Sequence, residues 1–94
     1  MTDEELLAKI KEGLSIVGNY NDAQLMTKML AVKEYMLNAG ITIENIESNL
    51  GIVTLTIGVL DIWNLTSGDV RFSDIFNNLI TQLQIKSMPD PVVS

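Results

Sequence analysis

The chain has 94 residues and contains neither cysteine nor histidine, which excludes disulfides, thiolate chemistry and the commonest general base and metal ligand. Twelve acidic against six scattered basic residues give a formal net charge of −6, which argues against nucleic-acid recognition, because phosphate binding needs clustered cations. Apolar residues make up 47% of the chain, more than so small a domain readily buries. We therefore expect one domain, residues 1–94, that associates through exposed apolar surface.

The first two predicted helices, residues 2–13 and 21–39, each begin with the spacing of a capping box. Thr2 and Glu5 fit this pattern in the first helix, and Asn21 and Gln24 repeat it in the second. Gly40 follows the second helix and suits a left-handed C-cap. The connector after it, residues 41–47, is expected to be a short extended piece or an irregular turn.

The third predicted element, residues 48–66, is the most apolar part of the chain and is ambiguous in type. Residues 53–59 alternate with period two and are rich in β-branched side chains, which is typical of a strand. On a helix, small or polar residues would instead form one stripe, made of Gly51, Thr54, Gly58 and Asp61. The length of the element favours a helix, with Ser48 or Asn49 as its cap.

A fourth helix is predicted over residues 73–86, after a turn at residues 67–69. Ser73 suits its N-cap, and the prolines at positions 89 and 91 end regular structure. Residues 87–94 are expected to form an extended tail. The sequence thus predicts an all-α fold, a small bundle of about four helices with this C-terminal tail.

No pattern in the sequence indicates catalysis. No EF-hand loop or phosphate-binding glycine loop occurs, and an activated nucleophile is not expected without histidine or cysteine. The longest uncharged run, residues 48–60, is shorter than the roughly 18–20 residues of a membrane-spanning helix. The acidic N-terminus is unlike a signal peptide. We expect a soluble cytoplasmic protein that is not an enzyme, holds no cofactor or metal, and does not enter a membrane.

Several residues are candidates for contacts between subunits. Asp61 either faces solvent on the polar stripe or pairs with Arg71, the only arginine, or with a lysine. Trp63 is interpreted as a core anchor, with a subunit contact as the alternative. Met29 and Met36 of the second helix are interpreted as gap fillers in the core or as an adaptable contact surface. The apolar pair in the tail, Val92 and Val93, is interpreted as a frayed end or as a docking arm.

The order of elements resembles the small head–tail connector proteins of tailed bacteriophages, also called adaptor or head-completion proteins. The resemblance covers about residues 2–85. It rests on Asn21-Asp22-Ala23-Gln24-Leu25 opening a long helix, on Asp61-Ile62-Trp63-Asn64 ending an apolar one, and on Phe72-Ser73 opening the last. The connector at residues 41–47 is shorter than in many relatives, and the basic residues that often follow the aromatic are missing.

This resemblance implies a ring subunit in the neck of a phage or prophage virion, made in the cytoplasm of the host bacterium. The ring would match the twelve-fold portal, extend the DNA channel and recruit stopper or tail-completion proteins. DNA would pass through without specific binding. The alternatives are a small helical regulatory or protein-interaction module, and a membrane-associated phage lysis factor built on the third element.

Overall fold

The computed structural model describes residues 1–63 and 72–89. Over these residues the chain is helical and contains no strand, which confirms the all-α prediction. The described helices are α1 (Asp3–Gly13), α2 (Asp22–Asn38), α3 (Ile43–Ile46), α4 (Asn49–Trp63) and α5 (Asp74–Lys86). The predicted turn at residues 67–69, the last three residues of the predicted third helix and residues 90–94 of the tail lie outside the described residues.

The N-terminus of α1 is closed by the predicted capping box. The Thr2 hydroxyl accepts the Glu5 amide at 3.1 Å, and the Glu5 carboxylate accepts the Thr2 amide at 3.0 Å. The bond from the Thr2 amide holds the pKa of Glu5 below its usual value, because it stabilises the charged carboxylate. At the other end, Ser15 adopts φ +57°, and Ile16 donates its amide to the Lys11 carbonyl at 2.9 Å. This is a Schellman ending with serine where glycine is usual.

The two ends of α2 differ in how well the sequence predicts them. Asn21 precedes the helix but makes no side-chain cap bond, because its backbone (φ −108°, ψ 16°) is not extended. The predicted capping box is therefore wrong here. At the C-terminus, Gly40 has φ +91°, and the Ile41 amide donates to the Met36 carbonyl at 3.1 Å. The predicted glycine C-cap is confirmed.

The connector between α2 and α4 contains one turn of helix, α3, so neither an extended piece nor an irregular turn describes it. Thr42 causes this turn, because its hydroxyl accepts the Asn45 amide at 3.3 Å. Ser87, just after α5, accepts hydrogen bonds from the Thr42 amide at 3.0 Å and the Asn45 side chain at 2.9 Å. Within the described residues the predicted count of about four helices thus becomes five, with α3 attached to the end of α5.

The ambiguous third element is the helix α4, and it lies at the centre of the molecule in contact with each of the other four helices. Ser48 accepts the Gly51 amide at 3.1 Å and is its cap. A Cβ on Gly51 would overlap the carbonyls of Asn45 and Ile46. The small-residue stripe therefore lets neighbouring chain approach the helix closely.

The core lies around α4 and consists almost entirely of aliphatic side chains. Phe76 is its largest member, stacking on the half-buried Phe72 with ring centroids 4.2 Å apart. Its buried apolar residues are Leu6, Leu7, Ile10, Leu25, Met29, Val32, Met36, Ile41, Ile46, Leu55, Val59, Phe76, Ile80 and Leu83. Within residues 1–63 and 72–89, no helix combines the length and apolar character that crossing a membrane requires.

Candidate interaction surface

The two candidate methionines lie inside the subunit. Met29 and Met36 are both 0% exposed and belong to the core between α2 and α4. A fully buried side chain cannot contact a partner, so the interpretation of these residues as a contact surface is wrong. Their role is the other one considered, filling irregular space in an aliphatic core.

Asp61 makes a contact that neither interpretation included. Its carboxylate accepts the Ser73 amide at 3.0 Å and the Ser73 hydroxyl at 2.8 Å. Ser73 is also the N-cap of α5, since its hydroxyl accepts the Phe76 amide at 3.3 Å. Asp61 therefore joins the last turn of α4 to the first turn of α5. Its negative charge there interacts favourably with the positive end of the α5 dipole. Among the described residues it forms no ion pair, and its predicted partner Arg71 lies outside them.

Trp63 is not a core anchor, because its side chain is 40% exposed at the end of α4. It forms one wall of an apolar groove of about 250 Å³. The groove lies where the C-terminal ends of α1 and α4 meet the N-terminal end of α2. We define the apolar groove by its lining residues, which are Leu14, Ile16, Asn21, Leu25, Val59, Leu60 and Trp63.

Further apolar side chains are exposed in the connector that contributes Ile16 to the groove. Val17 and Tyr20, in the connector between α1 and α2, are 96% and 95% exposed. Leu60, on the groove wall, is 41% exposed. Clustered apolar surface of this kind on a small protein usually marks a site of contact with another molecule.

Among the described residues, Lys28 places a positive charge beside the groove. The Lys28 ammonium lies 5.3 Å from the centroid of the Trp63 ring, within the range of a cation–π interaction. Within the described part of the chain, Lys28 forms no ion pair, whereas Lys11 and Lys33 are bound to carboxylates at 2.7 and 2.8 Å. The rim can therefore attract a carboxylate from a partner.

The opposite end of the molecule is formed by the C-terminal ends of α2 and α5. Gln84 donates to the Ala39 carbonyl at 2.9 Å, and Met88 and Pro89 lie beside Ala39 and Gly40. The described chain ends here at Pro89. The candidates Val92 and Val93 follow outside the described residues.

Most of the groove was not identified from the sequence. Of its residues only Trp63 was a candidate, because the others were assigned to helices or connectors. The available signal was Ile16, Val17 and Tyr20, which place apolar side chains in a connector beside Gly18. Apolar side chains in a turn region indicate a contact with another molecule more strongly than apolar side chains on a helix face, because a helix face is usually buried within the subunit.

The described residues contain no group of three or more acidic side chains placed to hold a metal ion. Within them, every buried side-chain nitrogen or oxygen has a hydrogen-bond partner. What the surface offers chemically is an apolar recess with a cation at its rim, which suits an aliphatic segment flanked by a carboxylate. Comparison with models of known protein families, with curated proteins and with solved structures finds no match for this chain.

Proposed function

We propose that the chain is a structural subunit of a head–tail connector ring in a tailed bacteriophage or prophage. The ring would dock under the portal protein in the virion neck, extend the DNA channel and recruit a stopper or tail-completion protein. The proposal rests on the resemblance in the order of elements and on one structural observation. That observation is the exposed apolar groove on a small all-helical subunit.

The groove supports association because leaving it in water is costly. Buried apolar surface contributes roughly 25 cal/mol per Å², and the walls of the groove and the adjoining connector expose large apolar side chains. A subunit that functions alone would gain nothing from this surface. A subunit that repeats around a ring would cover it with its neighbours.

The charge of the chain agrees with a channel through which DNA moves. The net charge is −6, and a cation-poor lining would not retard DNA by binding its phosphates. No residue is assigned to the channel wall. The electrostatic argument concerns the ring as a whole.

Native mass measurement and negative-stain imaging of the purified full-length protein test this function, with and without the portal protein of the same phage. We expect rings that bind the portal, and we expect the fraction of subunits in rings to increase with protein concentration. A protein that stays monomeric and ignores the portal would contradict the proposal. Leu60→Lys should weaken assembly, while the matched control Ile75→Lys, at an exposed apolar position on α5, should not.

The groove also favours a second candidate, a small helical module that binds one partner protein. Apolar grooves between helices commonly take up a partner segment. This function predicts a complex of fixed small stoichiometry and no ring, which the same mass measurement distinguishes. The membrane-associated alternative stays a prediction that fractionation of expressing cells would test.

A further inference from the structure

The apolar groove and the start of the C-terminal tail lie at opposite ends of α2. Leu25, near the N-terminal end of the helix, lines the groove. Pro89 lies with Ala39 and Gly40 at the C-terminal end. Ala39 follows Leu25 by fourteen residues, a separation of about 21 Å along the helix axis. Pro89, the last described residue, therefore lies at the end of the molecule away from the groove.

The tail valines lie close to Pro89 in the sequence. Val92 and Val93 follow Pro89 by three and four residues, and four fully extended residues cover at most about 14 Å. This is shorter than the span along α2. The groove of another copy is not subject to this limit, so an intermolecular contact is the one that the geometry allows.

The chemistry of the tail matches the groove. A recess of about 250 Å³ lined mainly by aliphatic and indole carbon, with Asn21 also in its wall, has room for branched aliphatic side chains such as those of Val92 and Val93. Asp90 precedes this pair and supplies a carboxylate for the Lys28 ammonium at the rim. Pro89 and Pro91 restrict the backbone, so ordering the segment on binding costs less entropy.

We propose that the apolar groove binds Val92 and Val93 of a second copy of this chain, with Asp90 of that copy beside Lys28. The inference rests on the self-association proposed above and names the contact that produces it. One end of each subunit would bind the opposite end of the next, so the contact is heterologous and repeats from subunit to subunit. Such contacts give a closed ring when the rotation between subunits closes.

A complementation experiment tests this contact with two full-length variants. Leu60→Glu places a charge in the groove and leaves the tail intact, whereas Val92→Asp with Val93→Asp disables the tail and leaves the groove intact. Each variant alone should associate about 100-fold more weakly than the parent in sedimentation velocity, because each buried valine is worth roughly tenfold in affinity. An equal mixture should form heterodimers and nothing larger, since it contains one intact groove for each intact tail.

Charge exchange provides a second pair that leaves the apolar residues unchanged. Lys28→Glu should weaken association about threefold to tenfold, and Asp90→Lys in the same chain should restore it. Circular dichroism checks that every variant keeps the parent's helical content. If Lys28→Glu weakened association by unfolding the protein, Asp90→Lys would not restore association. Restoration therefore shows that the two residues are in contact.

Several outcomes would overturn the inference. If the groove and tail variants assemble like the parent, the contact lies elsewhere, although the ring function stands. If the tail variant only lowers the stability of the monomer, the tail binds its own chain. If the tail variant weakens association but Leu60→Glu does not, the tail of the second copy binds a surface other than the groove. A parent that is monomeric at about 1 mM removes both proposals, whereas tail-dependent assembly without portal binding removes only the connector function.

Discussion

At the scale of single residues, Asp61 and Ser73 form the polar contact that joins α4 to α5. The carboxylate of Asp61 accepts two bonds from Ser73, and the Ser73 hydroxyl in turn accepts the amide of Phe76. Phe76 is fully buried against α2 and α4. One short chain of hydrogen bonds thus fixes both the start of α5 and the position of its main core residue.

Removing either end of this contact should destabilise the fold. Asp61→Ala and Ser73→Ala should each lower the free energy of unfolding by about 1–2 kcal/mol in urea titrations. The double variant should lose about 0.5–1.5 kcal/mol less than the sum, because both changes remove the same hydrogen bond. The control Glu34→Ala, at an exposed position, should stay within about 0.5 kcal/mol of the parent. Strictly additive losses would show that the two side chains act independently.

Ser15 is a position where the sequence is not optimal for the backbone. Its φ of +57° is left-handed, and this conformation costs a non-glycine residue roughly 1–2 kcal/mol. Ser15→Gly removes this cost, although the greater freedom of glycine in the unfolded chain offsets part of the gain. The free energy of unfolding should therefore rise by about 0.5–1 kcal/mol. Thermal unfolding followed by circular dichroism measures the change, with the exposed Ala8→Gly in α1 as a control that should destabilise. A lower midpoint for Ser15→Gly would contradict the Schellman geometry.

At the scale of helices, α4 determines how the others pack. Its stripe of small residues faces three different neighbours. A Cβ on Gly58 would lie 2.7 Å from both Val32 and Phe76, whereas one on Gly51 would overlap backbone carbonyls. Side chains can turn aside by a few tenths of an ångström, but a buried backbone carbonyl cannot do so without moving its helix.

Three glycine-to-alanine variants should therefore differ in sign and size. Gly51→Ala should be the most destabilising, and Gly58→Ala should cost about 1–3 kcal/mol through overpacking. Gly13→Ala should stabilise by about 0.5–1 kcal/mol, because its nearest neighbour, Thr56, is at an ordinary 3.7 Å and alanine favours helix. Urea unfolding of the three variants gives the order directly. Equal effects at all three positions would mean that close packing does not govern α4.

The capping box of α1 gives a pH dependence with a definite sign. The pKa of Glu5 is lowered in the folded state, chiefly by the Thr2 amide. Its stabilising contribution is therefore complete above the unfolded pKa and is lost as pH falls through the folded one. Glu5→Gln should remove this part of the acid sensitivity, which unfolding measured between neutral and acid pH would show. An unchanged pH profile in Glu5→Gln would contradict the assignment.

Local signals predicted most of the helical structure and failed where tertiary contacts decide. Ser48, Ser73 and Gly40 end or begin helices as expected, because caps depend on neighbouring residues. The period-two alternation of residues 53–59 was misleading, since α4 packs against four helices and also carries apolar residues, Val53 and Leu60, on its exposed side. The cap at Asn21 failed because its backbone conformation is set by the connector before it. The contact between Asp61 and Ser73 joins residues twelve apart, which no local pattern reports.

At the scale of the whole molecule, negative charge and an apolar end are the features that bear on function. The described residues include ten acidic side chains against five lysines, so the acidic excess also holds for the described part of the chain. We expect duplex DNA to migrate unretarded in electrophoresis with the free or assembled protein at about 0.15 M salt. A control with Glu4, Glu12, Glu34 and Glu44 changed to lysine would be net positive and should retard it. Retention by the parent would contradict passage without binding.

The position of Trp63 gives the protein an internal optical probe. It is the only tryptophan in the chain, and its ring lies at the mouth of the groove under the Lys28 ammonium. Indole emission shifts to shorter wavelength when water is displaced from the ring. Any molecule that enters the groove should therefore report its own arrival in the fluorescence of the unlabelled protein, and its affinity can be measured without attaching a dye to the surface under study.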